Sequence, residues 1–302
     1  FTIGNIGYLC TGYRGSTKDR LKDCWAYDIE ANSWTQCTSM PDAAPARNAA
    51  TGFAVGTKGY IATGYDATKK DYLNDCWQYD PATNSWKEMA SIPDGTDGTN
   101  IYGKRYYALS FGIGQYGYLG TGYNDNYQKD FWKFDPSVGD KGEWTAMSGF
   151  GGQKRMGGMA FVIDDIAYIC GGENNGSDVT DFWCFNPATG TWKELRELYD
   201  KSDDDYDDDY TSIVRANAVS FVIDGKGYLV TGEYGSLLSN YWIYDPATDL
   251  WEGEDLTAFE GSVRKNAVAF STGTRGFVVT GQASSSYYDD TWELSPYEYE
   301  EE

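Results

Sequence analysis

Five arginines at matching positions of this 302-residue chain are the residues best suited, by type and spacing, to bind a ligand. A guanidinium group presents several N–H donors in one plane, which suits bidentate binding of a carboxylate. Eighteen positions after each arginine stands a tyrosine, a glutamate or a glutamine. The arginines are Arg47, Arg105, Arg155, Arg215 and Arg264, and the residues that follow at this spacing are Tyr65, Tyr123, Glu173, Glu233 and Gln282. These ten residues are the predicted ligand-binding set.

The turn pattern predicts how these two columns of residues meet. Two-residue turns such as Gly56-Thr57 fix the hairpin register, and that register places each arginine diagonal to the residue 18 positions later. We therefore expect Arg155 to meet Glu173 and Arg215 to meet Glu233. One interpretation is that these are partly exposed ion pairs that hold hairpin ends together and contribute about 0–1 kcal/mol each.

The alternative interpretation is a polar pocket. Arg47 and Arg105 have no glutamate at the matching position, so their guanidinium groups would bind the carboxylate or hydroxyls of a ligand. Tyrosine rings would offer flat faces to a sugar ring or a peptide, and the candidates are Tyr65, Tyr123, Tyr127 and Tyr234. The sequence leaves both interpretations open.

Histidine is absent from the chain, which excludes Ser-His-Asp and Cys-His catalysis, Cys/His zinc sites and histidine-ligated copper. The prediction is therefore a non-catalytic protein. If the protein is instead an enzyme, Glu173 or Glu233 would act as the acid or base, and Arg155 or Arg215 would hold a substrate carboxylate.

A run of acidic residues, SDDDYDDDY at 202–210, has two interpretations. A block of like charges most simply forms a solvated loop. Alternating carboxylates could also gather calcium, with Asp203, Asp205, Asp207 and Asp209 as ligands, although the EF-hand spacing is absent. We expect no other cofactor.

The six cysteines have no metal-ligand spacing, but one pair has a register that fits a disulfide. If Tyr27 pairs with Trp34 across a hairpin, then Cys24 pairs with Cys37, and cross-strand cysteines at this separation can be bridged. The alternative is that these cysteines are plain core residues. A bridge would fit an oxidising compartment.

The net charge of −22 disfavours nucleic acid and anionic membranes as partners, because both present negative charge. No apolar run approaches the roughly 18 residues that a membrane helix requires. We therefore expect no direct membrane insertion.

Six near-copies of one unit supply the elements that position these residues. Each copy begins with a phenylalanine, which is followed by a strand such as GYIATGY at 59–65 and then by a [DN]xW tripeptide. The six phenylalanines are Phe1, Phe53, Phe111, Phe161, Phe221 and Phe270. The spacings are 52, 58, 50, 60 and 49 residues, and the turn signals indicate four short strands per unit. The sequence therefore predicts an all-β protein.

This arrangement of an arginine, a Gly-Gly or Thr-Gly pair, a Tyr-Asp pair and a tryptophan resembles the kelch-repeat family over essentially the whole chain. The resemblance implies a six-bladed β-propeller with four-stranded antiparallel blades. The Thr-Gly pairs are similar to those of secreted kelch proteins of bacterial envelopes, which implies a periplasmic, cell-surface or secreted location. Galactose oxidase shares the fold, but its copper ligands include histidine, so oxidase activity is not implied.

The predicted organisation is a single domain with blades at residues 1–46, 47–104, 105–154, 155–214, 215–263 and 264–302. We expect residues upstream of Phe1 to complete the ring; the alternative is that residues 296–302 fold back as the last outer strand. The 2–3 and 4–1 connections should lie on one face of the blades. The connections at 87–104 and 193–214 are the longest, and function tends to lie on such loops.

Three functions remain open at this stage. The first is a non-catalytic binding module of the cell envelope, most simply a monomer, that recognises a glycan or an envelope protein segment through this loop face. The second is a carbohydrate-active enzyme similar to the sialic-acid mutarotases among six-bladed kelch propellers. The third is a structural role in a larger assembly. Fold alone does not choose among them.

Overall fold

The computed structural model describes residues 1–94, 103–253 and 256–296, and every regular element in these ranges is a β-strand. The predicted fold class is confirmed: the protein is an all-β, six-bladed kelch-type β-propeller with antiparallel blades. Five sheets have four strands, and the sixth has three strands within the described residues. Among these residues there is no helix of the length and apolarity needed to cross a membrane.

The chain forms two compact units, residues 1–150 with 154–156 and residues 151–153 with 157–302. Each unit contains three of the six main sheets. The predicted blade bounds and the prediction that all six blades form a single domain stay predictions.

The strands of the first unit follow in chain order. The first sheet contains β1 (Thr2–Ile3), β2 (Ile6–Arg14), β3 (Asp19–Asp28) and β4 (Ser33–Gln36). The second contains β5 (Thr51–Val55) and β6 (Lys58–Ala62), then, after the short hairpin β7 (Tyr65–Asp66) and β8 (Asp71–Tyr72), β9 (Cys76–Asp80) and β10 (Ser85–Glu88). The third contains β11 (Leu109–Ile113), β12 (Tyr116–Gly120), β13 (Phe131–Asp135) and β14 (Glu143–Met147).

The second unit repeats this order. Its first sheet contains β15 (Met159–Ile163), β16 (Ile166–Cys170), β19 (Phe182–Asn186) and β20 (Thr191–Glu194), with the hairpin β17 (Glu173–Asn174) and β18 (Ser177–Asp178) between them. The next contains β21 (Val219–Ile223), β22 (Lys226–Val230), β25 (Tyr241–Asp245) and β26 (Leu250–Glu252), with the hairpin β23 (Glu233–Tyr234) and β24 (Ser236–Leu237). The last contains β27 (Val268–Ser271), β28 (Gly276–Val279) and β31 (Thr291–Leu294), with the hairpin β29 (Gln282–Ala283) and β30 (Ser286–Tyr287).

The hairpin register predicted from the turns is confirmed. Phe53 pairs with Tyr60, and the same phenylalanine position pairs with the residue seven later in the following blades. The Phe53 and Tyr60 rings stack at 5.1 Å between centroids. In the next blade, a Cβ placed on Gly117 would lie 2.1 Å from the Phe53 ring. The glycine at this position therefore lets the phenylalanine of one blade pack against the backbone of the next.

The disulfide prediction is wrong, although its register is right. Tyr27 pairs with Trp34, and the Cys37 amide donates to the Cys24 carbonyl at 2.9 Å, as expected for opposed residues. Cys24 is instead bonded to Cys10 on β2, and Cys37 is a free thiol. The reason is that Cys24 lies on a middle strand and has a cysteine opposite it on both sides.

The two predictions about the ends of the ring stay predictions. Residues 297–302 of the segment that would fold back lie outside the described residues, as do residues 95–102 of the connection at 87–104.

Candidate functional site

The arginine of the repeat is a buried anchor for its own blade. Arg47 is fully buried, and its guanidinium donates two hydrogen bonds of 2.6 Å to the carboxylate of Asp75. The same group donates to the Thr63 carbonyl at 3.0 Å, and the Trp77 indole N–H donates to the second Asp75 oxygen at 2.7 Å. The [DN]xW tripeptide therefore supplies a carboxylate that holds both an arginine and a tryptophan.

Two other blades repeat this arrangement. Arg105 is bound by Asp130, which also accepts from Trp132. In the last blade, Asp290 holds Arg264 and Trp292 in the same way. A buried guanidinium that has both a carboxylate and a carbonyl as acceptors has its charge compensated inside the protein. Arg47, Arg105 and Arg264 therefore act as structural residues here, and their guanidinium groups do not reach the surface.

The fourth example uses an amide in place of the carboxylate. Arg215 donates to the Asn240 side-chain oxygen at 3.0 Å and to the Asn240 and Thr231 carbonyls at 3.1 and 2.9 Å. The Ser212 carbonyl accepts a further bond of 2.6 Å, and the Ser212 hydroxyl accepts from the Asn240 amide. Without a carboxylate beside it, burial lowers the pKa of Arg215 to about 9.

The predicted pairing of Arg215 with Glu233 is wrong. Glu233 binds the Lys265 ammonium at 2.8 and 2.9 Å and accepts from the Asn217 side chain at 3.0 Å. The physical reason is local: Asn217 has a φ of +56°, so the strand alternation assumed for Arg215 is broken two residues later. The backbone of the arginine then joins the preceding blade, where its carbonyl accepts from the Gly172 amide at 2.9 Å. The pairing of Arg155, which is also fully buried, with Glu173 stays a prediction.

The predicted tyrosines of the first unit do come together, and they form what we call the tyrosine patch. It consists of six partly exposed side chains: Tyr65, Tyr72, Tyr106, Tyr107, Tyr123 and Tyr127. Neighbouring ring centroids lie 4.8–6.3 Å apart at interplanar angles of 46–79°. These are the separations of interacting aromatic pairs.

Connections from two blades build the tyrosine patch. Tyr65 and Tyr72 face each other across the β7–β8 hairpin, and Tyr123 and Tyr127 face each other across the matching turn of the next blade. Tyr106 follows the buried Arg105 and forms a backbone bridge with Tyr123. Thus 2–3 and 4–1 connections meet here, as predicted, on one face of these blades.

Charged side chains border the tyrosine patch. The Tyr72 hydroxyl donates to Asp125 at 2.9 Å, and burial, followed by this hydrogen bond, raises the pKa of Tyr72. On the opposite side, the Arg20 guanidinium lies 4.7 Å from the Tyr13 ring centroid and 5.9 Å from that of Tyr65. Tyr72 is therefore neutral at physiological pH, and the Tyr65 ring lies close to a cation.

The matching positions of the second unit carry carboxylates. Glu173 pairs with Asp178 across the β17–β18 hairpin, so two like charges are directly opposed. Burial, followed by Glu173 and Glu233, raises the pKa of Asp178. Gln282 pairs with Tyr287 and forms a backbone bridge with Lys265, while Tyr234 is 48% exposed. Glu173, Asp178 and Glu233 form what we call the carboxylate cluster.

Net charge divides unequally between the two units. The first carries 16 Lys and Arg against 17 Asp and Glu, a net charge of −1. The second carries 8 against 29, a net charge of −21. The acidity of the chain is therefore a property of the second unit, whereas the tyrosine patch lies on a nearly neutral one.

The acidic run has one ordered carboxylate at its centre. Asp207 is buried, and it accepts from the Lys201 and Ser202 amides at 3.1 and 2.9 Å. Within the described residues, the acidic group close enough to share a cation is Asp200, Asp207 and Asp208. Of the four predicted calcium ligands, the structure thus places only Asp207 in this group. Calcium binding stays a prediction.

Sequence reasoning missed three of the six members of the tyrosine patch and one member of the carboxylate cluster. Tyr106 and Tyr107 directly follow Arg105, but the residues after the other repeat arginines are not tyrosines, so the repeat gave no signal for this pair. Tyr72 and Asp178 occupy matching places in the β7–β8 and β17–β18 hairpins. The variable spacing between the Gly-ended strand and the [DN]xW tripeptide hid this correspondence.

Two family models match the chain. One, described as the KLHDC2/KLHL20/DRC7 Kelch-repeats domain, matches residues 3–154, and one described as the Kelch motif matches residues 160–198. The first of these spans half of the chain and includes Arg47 and Arg105.

Curated relatives fall into two groups. Kelch-like protein 25 of Xenopus tropicalis is 24% identical over 246 residues, which cover 80% of this chain and 38% of the relative. Kelch-like protein 23 of Mus musculus is 24% identical, over 83% of this chain and 40% of the relative. N-acetylneuraminate epimerase of Shigella sonnei is 29% identical over 136 residues, 43% of this chain and 32% of the relative. The chain thus spans about two fifths or less of the curated relatives it matches.

Proposed function

This chain belongs to the kelch-repeat family, and we propose that it is a non-catalytic binding module that recognises a protein segment through the tyrosine patch. The observation that carries the proposal is the gathering of six partly exposed tyrosine rings where the connections of two blades meet. Tyrosine contributes a large rigid surface and a polar hydroxyl, and it is enriched at the energetic centres of protein interfaces.

The arginines of the predicted site support this choice, because their donors are already used within the protein. The guanidinium groups of Arg47, Arg105 and Arg264 are buried against carboxylates of their own blades, so they are not the anchors of a ligand. Tyrosine hydroxyls and ring faces then supply the contacts. A linear segment suits these rings, because extended peptides such as Pro-rich segments dock against clustered aromatic side chains.

One observation supports a further part of the proposal, a location in the cell envelope. The disulfide between Cys10 and Cys24 is the kind of bond that persists in periplasmic, secreted and cell-surface proteins. We propose that the module works there, with an envelope protein as its partner.

The binding experiment screens the purified chain against a display library of linear peptides. Tyr65→Ala and Tyr123→Ala should each weaken the selected peptides more than tenfold, because truncation of a central aromatic anchor costs about 2 kcal/mol or more. Tyr234→Ala and Tyr287→Ala are matched controls, since both tyrosines are exposed but lie in the second unit. Binding that is insensitive to the first pair, or equally sensitive to both pairs, would refute the role of the tyrosine patch.

Glycan recognition is the second candidate, and the similarity to N-acetylneuraminate epimerase is the observation that favours it. A glycan array probed with the same variants separates the two ligands, because loss of glycan signal in Tyr123→Ala would favour the sugar. An enzymatic version requires free N-acetylneuraminate to interconvert its anomers faster when the protein is added, which proton NMR measures. The geometry favours binding over catalysis, because Glu233 is neutralised by Lys265 and Arg215 is bound elsewhere.

A further inference from the structure

Three cysteines of the first blade lie in one row across three adjacent strands. Cys10 on β2 pairs directly with Cys24 on β3. Cys24 in turn lies opposite Cys37, because Trp25 pairs with Gln36 and the Cys37 amide donates to the Cys24 carbonyl at 2.9 Å. Directly opposed residues of a sheet point to the same face. The three sulfur atoms therefore share one face, with Cys24 in the middle.

The surroundings of the thiol confirm this placement. Cys37 is partly exposed, and its thiol donates to the Thr35 carbonyl at 4.0 Å. Burial, followed by a hydrogen bond with Cys37, raises the pKa of Tyr79, which belongs to the next blade. Tyr79 also packs on Tyr8, at 5.6 Å between ring centroids. Tyr8 lies two residues from Cys10 on the same strand face, so Cys37 and the disulfide face the same neighbour.

The corresponding rows of other blades show what this position holds when it is only core. The second blade has Ala62, Cys76 and Met89 in the row. The fourth blade has Cys170, Phe182 and Leu195. Both rows are apolar fillings in which one cysteine acts as a small hydrophobic residue. The first blade differs from these two in having cysteine at all three positions of the row.

We propose that Cys10, Cys24 and Cys37 form a thiol–disulfide exchange site. The Cys37 thiolate attacks the Cys24 sulfur, a Cys24–Cys37 bond forms as the Cys10–Cys24 bond breaks, and Cys10 departs as a thiolate that takes a proton from water. No oxidant or reductant is consumed, because one disulfide and one thiol are present before and after. Exchange proceeds through attack along the line of the breaking bond, and a row of three opposed residues places the attacking and leaving sulfurs on opposite sides of Cys24.

The exchange moves a cross-link from the inner part of the blade to its outer edge. The Cys10–Cys24 bond joins β2 and β3, whereas the Cys24–Cys37 bond would tie the end of β4 to β3. The strand β4 is the outermost of its sheet, and it is followed by the connection that leads to Arg47. The site would thus decide which strand pair of the first blade is covalently held, independently of the proposed binding function.

Trapping of the wild-type protein tests the exchange directly. Trypsin separates Cys10, in residues 1–14, from Cys24 and Cys37, both in residues 23–47, so the two linkages give different peptides without reduction. Among the three cysteines of the first blade, excess maleimide should label Cys37 alone, and the partly exposed Cys184 serves as an internal reference for labelling. As the maleimide concentration is lowered, labelled Cys10 with an internally bridged peptide 23–47 should appear, and its rate of appearance should rise with pH, because the thiolate is the attacking species. Among Cys10, Cys24 and Cys37, label confined to Cys37 at every concentration and pH would overturn the proposal.

Serine variants give a second, independent readout under air oxidation. Cys10→Ser should form a Cys24–Cys37 bond, Cys37→Ser should form Cys10–Cys24, and Cys24→Ser should form neither, because its remaining cysteines are two strands apart. If Cys24 and Cys37 both stay reduced in Cys10→Ser, under conditions that form the Cys10–Cys24 bond in Cys37→Ser, the proposed geometry is refuted. A Cys10–Cys37 bond in Cys24→Ser would refute it as well. The trapping experiment needs no variant, so it decides the matter even if a substitution prevents folding.

Discussion

Replacement of Asp75 by asparagine is the sharpest test of how the repeat holds its arginine. One Asp75 oxygen accepts from Arg47, and the other accepts from both Arg47 and Trp77. In Asp75→Asn one of these oxygens becomes an amide donor that faces a donor, and the buried guanidinium loses its counter-charge. Hydrogen bonds to charged groups contribute about 1.5–3 kcal/mol each. Breaking a buried pair costs about 3–5 kcal/mol.

The structure places the expected loss at the lower end of that range. The Asp75 side chain is 19% exposed, whereas Arg47 is fully buried, so water screens part of the interaction. We expect Asp75→Asn to cost about 3 kcal/mol, which corresponds to a fall in Tm of about 6–12 °C for a unit of this size. Thermal unfolding followed by circular dichroism and tryptophan fluorescence measures the shift. Asp140→Asn is the matched control, because it removes the same charge from an ion pair whose carboxylate is 87% exposed.

A natural exception within the chain sharpens the test further. Asn240 replaces the aspartate beside Arg215, and the hydroxyl of Ser212, three residues before that arginine, accepts the extra amide donor. The residue three before Arg47 is Ala44, which has no hydroxyl. The double variant Asp75→Asn/Ala44→Ser should therefore recover part of the loss. A single variant no less stable than Asp140→Asn, or a double variant with no recovery, would show that the arginine is held by something other than these bonds.

Three further predictions concern a carboxylate opposed by another carboxylate, a buried hydroxyl without a hydrogen-bond partner and a closely packed glycine. Asp178→Asn should raise the Tm at pH 7 but leave it unchanged near roughly pH 3. Burial and Glu173 raise the pKa of Asp178, so the folded protein favours the protonated carboxyl. The stability that this proton provides is lost as the pH rises, whereas the asparagine stays uncharged at both pH values. Thr121→Val should stabilise the protein by about 1 kcal/mol in urea unfolding, since the buried Thr121 hydroxyl has no hydrogen-bond partner. Gly227→Ala should destabilise it by about 1–3 kcal/mol in the same assay, because the added Cβ would lie 2.3 Å from the Phe161 ring.

The architecture was predictable because its signals are local and repeated six times. Each hairpin turn fixes its own register. The pairing of Phe53 with Tyr60 therefore follows from the two-residue turn Gly56-Thr57, and the equivalent pairing holds in the following blades. The [DN]xW tripeptide was likewise visible as a repeat. Its purpose was not, because a sequence does not show that the aspartate of one strand and the arginine of another converge on the same buried point.

The candidate site could be predicted only in part. Tyr65, Tyr123 and Tyr127 were found from their column in the repeat, and the structure brings them together. The direction of Arg215 was not found, because a single left-handed residue, Asn217, turns the chain away from the strand geometry that the prediction assumed. Backbone handedness at such a position depends on hydrogen bonds with neighbouring blades, and these are invisible in a linear pattern.

The sequence by itself determined the number of blades, their strand pairing and the absence of histidine chemistry, since each depends on composition or on residues a few positions apart. Tertiary structure alone decided which polar groups remain available to a ligand. It placed the arginines against internal carboxylates, chose Cys10 over Cys37 as the partner of Cys24, and gathered tyrosines from separate blades on one surface. The physical reason is that burial and contact between distant segments are set by packing, and packing compares all the candidate partners at once.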